Sequence, residues 1–581
     1  MAKRTPTTRA DRRAGAGAAV ALAFAALAFA VYAPALHAPF FSDDLHYVQA
    51  NAYVQTPSLA NARAIWSPVG PVVGIVENYA PVHLSLHALA WQAFGADVVG
   101  HHALNVAMHV VASLLLVQWL RRSGVASRAA VALGAVFLVH PANVEAVAWI
   151  SQVKTTSALA LALAALLAHR ARPVLALACF ALALLAKPTA AVALPVAALA
   201  LVLERARGAR AAPEDGARGL AALARDPAAR WLVAWSVVFA AFAAAELAAY
   251  FATAGSAAHG PSDALVRVRS AFASVASYAR MVATGTGLAV FHDPDPATSA
   301  LDPRWLGGLA VVALAGWRVA ASARARSNEL LGWTFAAVSF APVCGAIALP
   351  HAIADRYAYF LLPGVLLAAG VLATRSGLAA RRASAWVAAA VVVAFASLAF
   401  ARARLWAEPE LLVAASEARY PRGEVALLRG ARRAALAGDA GAAVDGVRAA
   451  MARGYDRLDA LLADPAYRAL RGDARFDALV AELARGQIER ARARGARAQS
   501  DLRVIGQAQW ILGERDAALA SLRAALERPG PYVDAIRAEV AALEREARIE
   551  AARARRGGSD GDDEGDRGSG SDAAPDDRAP R

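Results

Sequence analysis

The sequence predicts an all-α membrane protein, in which a polytopic bundle of about eleven transmembrane helices precedes a helical carboxyl-terminal domain. Of the 581 residues 58% are hydrophobic, and many of them lie in nearly uncharged blocks, several of which reach the length that a helix needs to cross a bilayer. Arginine-containing loops separate several of these blocks. After about residue 402 the composition changes to Arg, Ala and Glu with helical periodicity.

The order of spans and basic loops predicts the topology. We place the spans at 17–37, 103–120, 128–146, 155–168, 173–186, 188–203, 231–252, 304–320, 330–349, 357–374 and 383–401. The basic segment 1–16 is expected in the cytoplasm, with the first span retained as a signal anchor because no clear cleavage site follows it. Arginines then fall in the loops predicted to be cytoplasmic, so the sequence predicts a plasma (inner) membrane protein whose carboxyl-terminal domain is periplasmic.

Some segments leave alternatives open. The segments 155–168 and 173–186 are short for full spans, so they either cross the membrane as a hairpin or are re-entrant. The segment 80–100 is apolar with histidines near its start and just past its end, which is typical of an interfacial amphipathic helix. The long outer segment 253–303 has the most mixed composition.

The carboxyl-terminal region divides into two parts. Residues 506–529 have the small-residue and aromatic spacing of a tetratricopeptide helix pair, and residues 427–455 repeat that spacing more loosely. We therefore predict a tetratricopeptide-like α-solenoid over residues 402–550. The tail 551–581 is rich in Gly, Asp and Ser and is predicted to be disordered because it cannot bury a core.

Composition also weighs against some classes of function. The net charge of +14 lies largely in loops that set topology, so it does not indicate nucleic-acid binding. Cys179 and Cys344 lie in apolar stretches and are interpreted as buried hydrophobic residues. No phosphate-binding glycine loop, paired CxxC motif or HExxH motif occurs, so nucleotide hydrolysis and redox cofactors have no local support.

An acid pair follows the first span. Asp43 and Asp44 are interpreted either as a helix cap or solvated loop pair, or as a general base whose partner carboxylate raises its pKa.

Basic residues supply the complementary charge. Only three of the 61 basic residues are lysine, and two of them, Lys154 and Lys187, lie at the predicted outer boundary of the membrane. They suit a phosphate group, or alternatively they only extend toward the membrane surface from helix ends. Arg356 also suits phosphate, with an ion pair to Asp355 as the alternative or additional role.

Further polar residues are expected to shape the same site. His102, Asn105 and His109 share one face of the second span, where they could bind a metal ion or donate to a ligand, or alternatively form interhelical hydrogen bonds. His140 and Glu145 do not have the spacing of a zinc pair and could form ordinary helix-end hydrogen bonds. The remaining candidates are Asp355 and Tyr357. The sequence predicts no metal-ligand set and leaves the involvement of a divalent metal ion open.

Together these residues predict an outward-facing site that stabilises the charge of a leaving lipid phosphate. Several motifs also resemble those of one family. They are Asp43-Asp44, Asn78-Tyr79-Ala-Pro81, the 102–109 stripe, FLVHPANVEAVAWISQVK, LALLAKPTAAVALP and HAIADRYAYFLLPG. The chain resembles membrane glycosyltransferases of superfamily C that carry tetratricopeptide repeats, the O-mannosyltransferase type and its bacterial relatives, over residues 40–365 and through the repeats to about 550.

The resemblance implies an inverting transfer of a sugar, expected to be mannose, from a polyprenyl-phosphate donor to Ser or Thr of a protein. By matching positions, Asp43 or Asp44 would be the base, and Lys154, Lys187 and Arg356 would hold the donor phosphate. His140 and Glu145 would shape the site, and the repeats would recruit the acceptor protein. The chain has Tyr-Ala-Pro where the family often has Tyr-Arg-Pro, which puts the contact made by that arginine in doubt.

Two other functions compete with the enzyme. One is a membrane-anchored tetratricopeptide scaffold whose catalytic half is vestigial. The other is a transporter, which is disfavoured because the charges lie at helix ends and the sequence shows no internal symmetry. The sugar, the lipid carrier and whether the acceptor is a protein or a glycan stay open.

Overall fold

The computed structural model describes residues 9–76, 78–211, 226–253, 263–344, 353–496 and 498–557, which form helices joined by turns and irregular segments and contain no strand. The helices up to residue 406 are α1 Arg9–Tyr32, α2 Ala52–Gln55, α3 Leu59–Ile65, α4 Pro71–Val76, α5 Pro81–Phe94, α6 Val98–Arg122, α7 Ser127–Leu138, α8 Val144–Ala148, α9 Val153–Ala168, α10 Pro173–Ala186, α11 Ala193–Ala211, α12 Pro227–Thr253, α13 Ala264–Thr284, α14 Pro303–Arg324, α15 Glu329–Phe340, α16 Ala358–Arg375 and α17 Arg382–Trp406. The later helices are α18 Pro409–Arg419, α19 Glu424–Leu436, α20 Ala440–Arg453, α21 Leu458–Ala463, α22 Ala474–Ala493, α23 Gln499–Ile511, α24 Arg515–Leu526 and α25 Val533–Gly557.

Eight helical segments in the described ranges are long and apolar enough to cross a membrane. They are Gly15–His37, Val98–Arg122, Ile150–Ala168, Pro188–Arg207, Pro227–Thr253, Pro303–Arg324, Asp355–Arg375 and Arg382–Trp406. Each overlaps a predicted span. The all-helical fold is therefore confirmed for the described residues, and these eight apolar helices support the prediction of a membrane protein. The segment predicted at 155–168 gains length because a 3₁₀ turn, Ile150–Gln152, continues into α9.

The other three predicted spans are shorter or bent. Ser127–Leu138 and Pro141–Ala148 meet at an angle of 51°. Pro173–Ala186 has 14 residues, or about 21 Å of helix against a hydrocarbon core of about 30 Å. Glu329–Val343 is also short, and residues 345–349 of that predicted span lie outside the described residues. The count of eleven spans therefore stays a prediction.

The helix ends gather at two opposite ends of the bundle, and hydrogen bonds join them there. At one end, which we call the arginine end, Arg122 donates to the Leu167 carbonyl and Asn328 to the Ser123 carbonyl. At the other, which we call the site end, Asp44 accepts from Ser151 and Glu145 from Arg356. The arginines of the predicted cytoplasmic loops thus lie opposite the candidate site, as the alternation of spans requires.

Two helices lie between spans at the site end. Helix α5 occupies the segment predicted to be interfacial, and His83 and His87 on it are buried. Helix α13 lies within the long outer segment 253–303, in which the sequence analysis placed no helix. It packs beside α14, and His140 on the α7–α8 connection donates from Nε2 to its Val282 carbonyl at 3.0 Å.

The carboxyl-terminal domain consists of helical hairpins. The pairs α19–α20 and α23–α24 coincide with the two segments that predicted tetratricopeptide-like pairs, although the tetratricopeptide assignment itself stays a prediction. Helix α17 continues to Trp406, past the predicted domain boundary at 401. Helix α25 continues to Gly557, and the rest of the tail predicted to be disordered, 558–581, lies outside the described residues.

Glycines allow the backbones of α15 and α16 to contact each other where the two helices cross. A Cβ on Gly364 would lie 2.5 Å from the Ala336 nitrogen and 2.6 Å from the Gly332 carbonyl oxygen. Because both obstacles are backbone atoms, no rotamer change relieves the overlap. Small residues at such crossings are what brings helices together in a membrane, where apolar burial gives little net attraction.

We expect Gly364→Val to force these helices apart and to destabilise the protein by about 1–3 kcal/mol, the usual cost of overpacking. Thermal unfolding of the purified protein in detergent measures the loss. Gly316→Val on α14 is the matched control, since a Cβ there has no neighbour within 4 Å and the same β-branched residue enters a helix. Equal losses in both variants would show that the crossing is not the cause.

Candidate functional site

The acid pair lies in a turn after α1 whose backbone is unusual. Ser42 has a φ of +52°, a left-handed conformation that is uncommon for a residue other than glycine. Asp44 is buried, and its carboxylate accepts from the Phe41 nitrogen at 3.1 Å and the Ser151 nitrogen at 2.7 Å. Asp43 is partly exposed and makes no side-chain hydrogen bond to another described residue. The two adjacent acids thus have different surroundings.

The environment of Asp44 changes its acidity. Burial raises the pKa of Asp44 from 3.8 to about 7, and the neighbouring charge of Asp43 adds to the rise. The hydrogen bonds from the backbone of Phe41 and Ser151 act in the opposite direction. A raised pKa was predicted for one member of the pair from like-charge repulsion, but burial is the larger cause.

The side chains of Lys154 and Lys187 contact neutral groups. The Lys187 ammonium donates to the Thr155 hydroxyl at 2.6 Å, and that hydroxyl donates to the Gln152 side-chain amide oxygen Oε1 at 2.7 Å. The Lys154 ammonium lies 4.7 Å from the centre of the Tyr47 ring. In the described part of the chain neither lysine forms an ion pair. Neither lysine is therefore paired with a carboxylate of the described residues, and burial lowers the pKa of the Lys187 ammonium, as do the nearby charges of Lys154 and Arg356.

Arg356 pairs with Glu145 and not with Asp355. Its Nη1 lies 2.5 Å from one Glu145 oxygen, and its backbone nitrogen donates to the other at 2.8 Å. The guanidinium also lies over the rings of Trp149 and Tyr357, at 5.4 and 5.2 Å. Its side chain is 12% exposed and that of Glu145 is 0% exposed, so this is a buried ion pair at the edge of the site.

Asp355 instead connects the bundle to the carboxyl-terminal domain. One oxygen accepts from His292 Nε2 at 2.7 Å, and the other accepts from Arg402 at 2.7 Å. His292 Nδ1 in turn accepts from the hydroxyl of Tyr420, the residue after α18, at 2.8 Å. Asp355 shapes the site by fixing the turn that carries Arg356, and its carboxylate is fully engaged.

The polar stripe of α6 forms interhelical hydrogen bonds, the alternative left open by the sequence. His102 donates to the Ala38 carbonyl, and His109 donates to the Leu138 carbonyl and accepts from the Tyr359 hydroxyl. Asn105 donates to the carbonyls of 146, 147 and 149 and accepts from the Thr156 hydroxyl. His140 accepts from the Ala142 nitrogen as an ordinary helix-end bond. These four side chains hold the segments that carry the site.

The segment 145–155 brings the acid pair and the cations together. Trp149 donates from its indole to the Phe41 carbonyl at 3.1 Å, and Ser151 bonds Asp44. Lys154 and Arg356 are both close enough to Lys187 to interact with it electrostatically, and Asp43 interacts in the same way with Arg356. The predicted base and phosphate-binding residues thus lie around one region at the site end.

Sequence reasoning missed several residues next to this region. Tyr47 supports Lys154, while His83 and His87 form a buried pair with 2.8 Å between their Nε2 atoms. Burial lowers the pKa of both histidines, to about 3 for His87, so both imidazoles are neutral near pH 7. The spacing of four residues on α5 could have indicated the pair. Glu246, an acid within an apolar span, accepts from the Tyr79 nitrogen at 3.1 Å.

Neither a metal site nor a relative emerges. Within the described ranges no group of three or more His, Cys, Asp or Glu side chains could hold a metal ion. Comparison of the chain with protein-family models, curated proteins and solved structures gives no match. The geometry of the site is therefore the basis on which a function can be proposed.

The acidity of Asp44 predicts a dependence of stability on pH. Because its pKa is raised in the folded chain, the folded state holds this proton more tightly between pH 4 and 7, so stability falls as the pH rises through that window. Asp44→Asn removes this contribution, which is on the order of a few kcal/mol across the window. Thermal unfolding from pH 4 to 8 should show a smaller decline for this variant, at a lower overall stability because an amide cannot accept from both backbone nitrogens.

The matched control for this measurement is Asp97→Asn. Asp97 caps α6 through its side chain, and asparagine caps helices equally well. The Asp97→Asn variant should therefore show the same decline of stability with rising pH as the unmodified protein. A decline in Asp44→Asn as steep as in that control would contradict the assignment of the raised pKa to Asp44.

Proposed function

We propose that the protein is a membrane glycosyltransferase that moves a sugar, with mannose as the expected sugar, from a polyprenyl-phosphate donor to Ser or Thr of a protein. The observation that carries the proposal is that a partly exposed carboxylate, Asp43, lies within electrostatic reach of Arg356. Arg356 and Lys154 lie within the same reach of Lys187, and neither lysine has a carboxylate partner among the described residues. A base for a hydroxyl and cations for a phosphate are the two requirements of such a transfer.

Within the acid pair we assign the catalytic base to Asp43. Asp44 is buried and both of its oxygens are occupied by backbone donors, so it anchors the turn to the segment 145–155. Asp43 has its carboxylate unoccupied by described residues and is partly exposed. The left-handed Ser42 precedes the pair, and strained backbone of this kind concentrates at functional sites.

We assign binding of the donor phosphate to Lys154 and Lys187, with Arg356 beside them. Ammonium groups act as point charges on phosphate oxygens, and here their partners are a hydroxyl and an aromatic ring. Arg356 already has a carboxylate partner, Glu145, which leaves it a weaker electrostatic contribution and a role in positioning. The lysines therefore dominate the proposed phosphate site.

The reaction proceeds as a single inverting displacement. Asp43 accepts the proton of the acceptor hydroxyl while that oxygen attacks the anomeric carbon of the sugar. The bond from that carbon to the phosphate oxygen breaks, and the electron pair leaves with the lipid phosphate. Lys154 and Lys187 stabilise the negative charge that the phosphate gains.

The carboxyl-terminal domain is suited to present the acceptor because it contacts the site end. Tyr420 reaches Asp355 through His292, and Arg453 binds Asp293 and Asp295 of the segment before α14. Pro531 and Tyr532 pack on Gly74 of α4. Tetratricopeptide-like hairpins beside the site would hold an extended segment of a protein near Asp43. With the arginine end in the cytoplasm, this site would be periplasmic.

Asp43→Asn should lower sugar transfer by about 10²–10⁴-fold, the usual contribution of a general base, while leaving donor binding unchanged. Transfer from a radiolabelled polyprenyl-phosphate sugar to co-purified envelope proteins measures the effect. Asp97→Asn, a neutral amide at a helix cap of the same end, should keep full activity. Unchanged glycosylation in Asp43→Asn would favour the alternative function, a non-catalytic membrane-anchored tetratricopeptide scaffold.

Lys154→Gln and Lys187→Gln should each weaken binding of the lipid-phosphate donor by about tenfold, since each removes one charge from a phosphate. The Kd of a non-hydrolysable polyprenyl-phosphate sugar in detergent gives the measurement. Arg382→Gln, a basic residue at the beginning of α17 at the arginine end, is the control for lost positive charge. Donor affinity that falls equally in all three variants would mean that net charge, and not these two lysines, governs binding.

A further inference from the structure

A pocket lies at the arginine end, at the opposite end of the bundle from the candidate site. It has a volume of about 420 Å³ and is enclosed by the ends of α6, α9 and α11 and the beginning of α15. Its floor is apolar, formed by Trp119, Leu166, Val196 and Leu331. Its polar lining includes three arginines from different parts of the chain, Arg122, Arg170 and Arg207, and one acid, Glu204, which leaves an excess of positive charge. An apolar floor with a cationic rim is the arrangement that an anionic amphiphile requires.

The three arginines differ in how their charges are balanced. Arg170 forms ion pairs with Glu204 and Asp226, at 3.0 and 3.2 Å. Arg122, in contrast, donates to the Leu167 carbonyl, a neutral acceptor. Arg207 donates to the Leu203 carbonyl and to the Asn328 side chain at 2.8 Å, which are also neutral.

Arg122 and Arg207 therefore keep their full charge. Over the described ranges, no carboxylate lies within ion-pair distance of either guanidinium. Asn328 ties the two regions together, because it accepts from Arg207 and donates to the carbonyl of Ser123, the residue after Arg122. Two uncompensated cations are thus fixed on one pocket by hydrogen bonds that leave other N–H groups of each guanidinium available.

We propose that this pocket binds one anionic phospholipid, with its phosphate on Arg122 and Arg207 and its glycerol and upper acyl chain on the apolar floor. Basic pockets between transmembrane helices suit anionic headgroups, because the guanidinium fork matches phosphate oxygens. An inorganic phosphate ion offers the same charge but leaves the floor uncovered, so the apolar residues favour the lipid over the free ion. The proposal is independent of the transfer reaction, which we assign to the other end.

Native mass spectrometry of the full-length protein in detergent tests this proposal. Phosphatidylglycerol, phosphatidylcholine and inorganic phosphate are added separately at matched concentrations. We expect retention of one phosphatidylglycerol molecule at concentrations at which phosphatidylcholine and phosphate are not retained. In the double variant Arg122→Gln/Arg207→Gln, the affinity for phosphatidylglycerol should fall by at least about tenfold, because each basic group near an anionic headgroup contributes roughly a factor of five.

Two further variants separate loss of the site from loss of charge or fold. Arg381→Gln/Arg382→Gln removes two charges near the start of α17 outside the pocket and should bind phosphatidylglycerol normally. Arg122→Lys/Arg207→Lys keeps the charge and should retain most of the affinity, even if the glutamine pair proves unstable. Equal retention of phosphatidylglycerol and phosphatidylcholine by the unmodified protein would overturn the proposal. So would competition by inorganic phosphate, or undiminished retention by a folded glutamine pair.

Discussion

The buried turn at residues 355–357 is the constraint on which the rest of the structure depends. Its two adjacent charges go to different partners, Asp355 to Arg402 and His292, and Arg356 to Glu145. A buried charge without a partner costs several kcal/mol, so each of these contacts has to be kept. One contact fixes the carboxyl-terminal domain to the bundle and the other closes the candidate site. The position of the domain and the geometry of the site are therefore coupled through two consecutive residues.

Polar side chains inside the bundle likewise need partners. Water is absent from the hydrocarbon core, so a donor or acceptor there needs a partner from the protein. Asn105 binds three backbone carbonyls where the helix is interrupted between α8 and α9, and His109 joins α6 to α16. These bonds permit the interruption at 149–152, because the carbonyl groups that it leaves unpaired bind Asn105. That irregular segment is what carries Trp149 and Ser151 to the acid pair.

The helices and their alternation could be predicted from the sequence because apolar length and arginine placement are local signals. The charged candidates for the site could be predicted for the same reason, because they lie beside apolar blocks. They are Asp43, Asp44, Lys154, Lys187 and Arg356.

The partners of these residues could not be predicted. Arg356 lies 211 residues from Glu145 and one residue from Asp355, so sequence proximity favoured the wrong acid. Which of two adjacent carboxylates is buried depends on Ser151, 107 residues away. Helix α13 was also missed because its apolar residues form one face and no continuous block.

The contrast between arginine and lysine connects the two ends of the molecule. Arg318, Arg356, Arg402 and Arg453 are partly or largely buried and each lies on a carboxylate. The two described lysines lie on a hydroxyl and an aromatic ring. Arginine suits fixed ion pairs because its planar fork matches a carboxylate, whereas an ammonium holds a phosphate without a fixed geometry. Arg122 and Arg207 depart from that pattern, since they line a pocket and bind only neutral acceptors among the described residues. Cations without a carboxylate partner among the described residues thus occur at both ends, which is why a phosphate group is the ligand chemistry inferred for each.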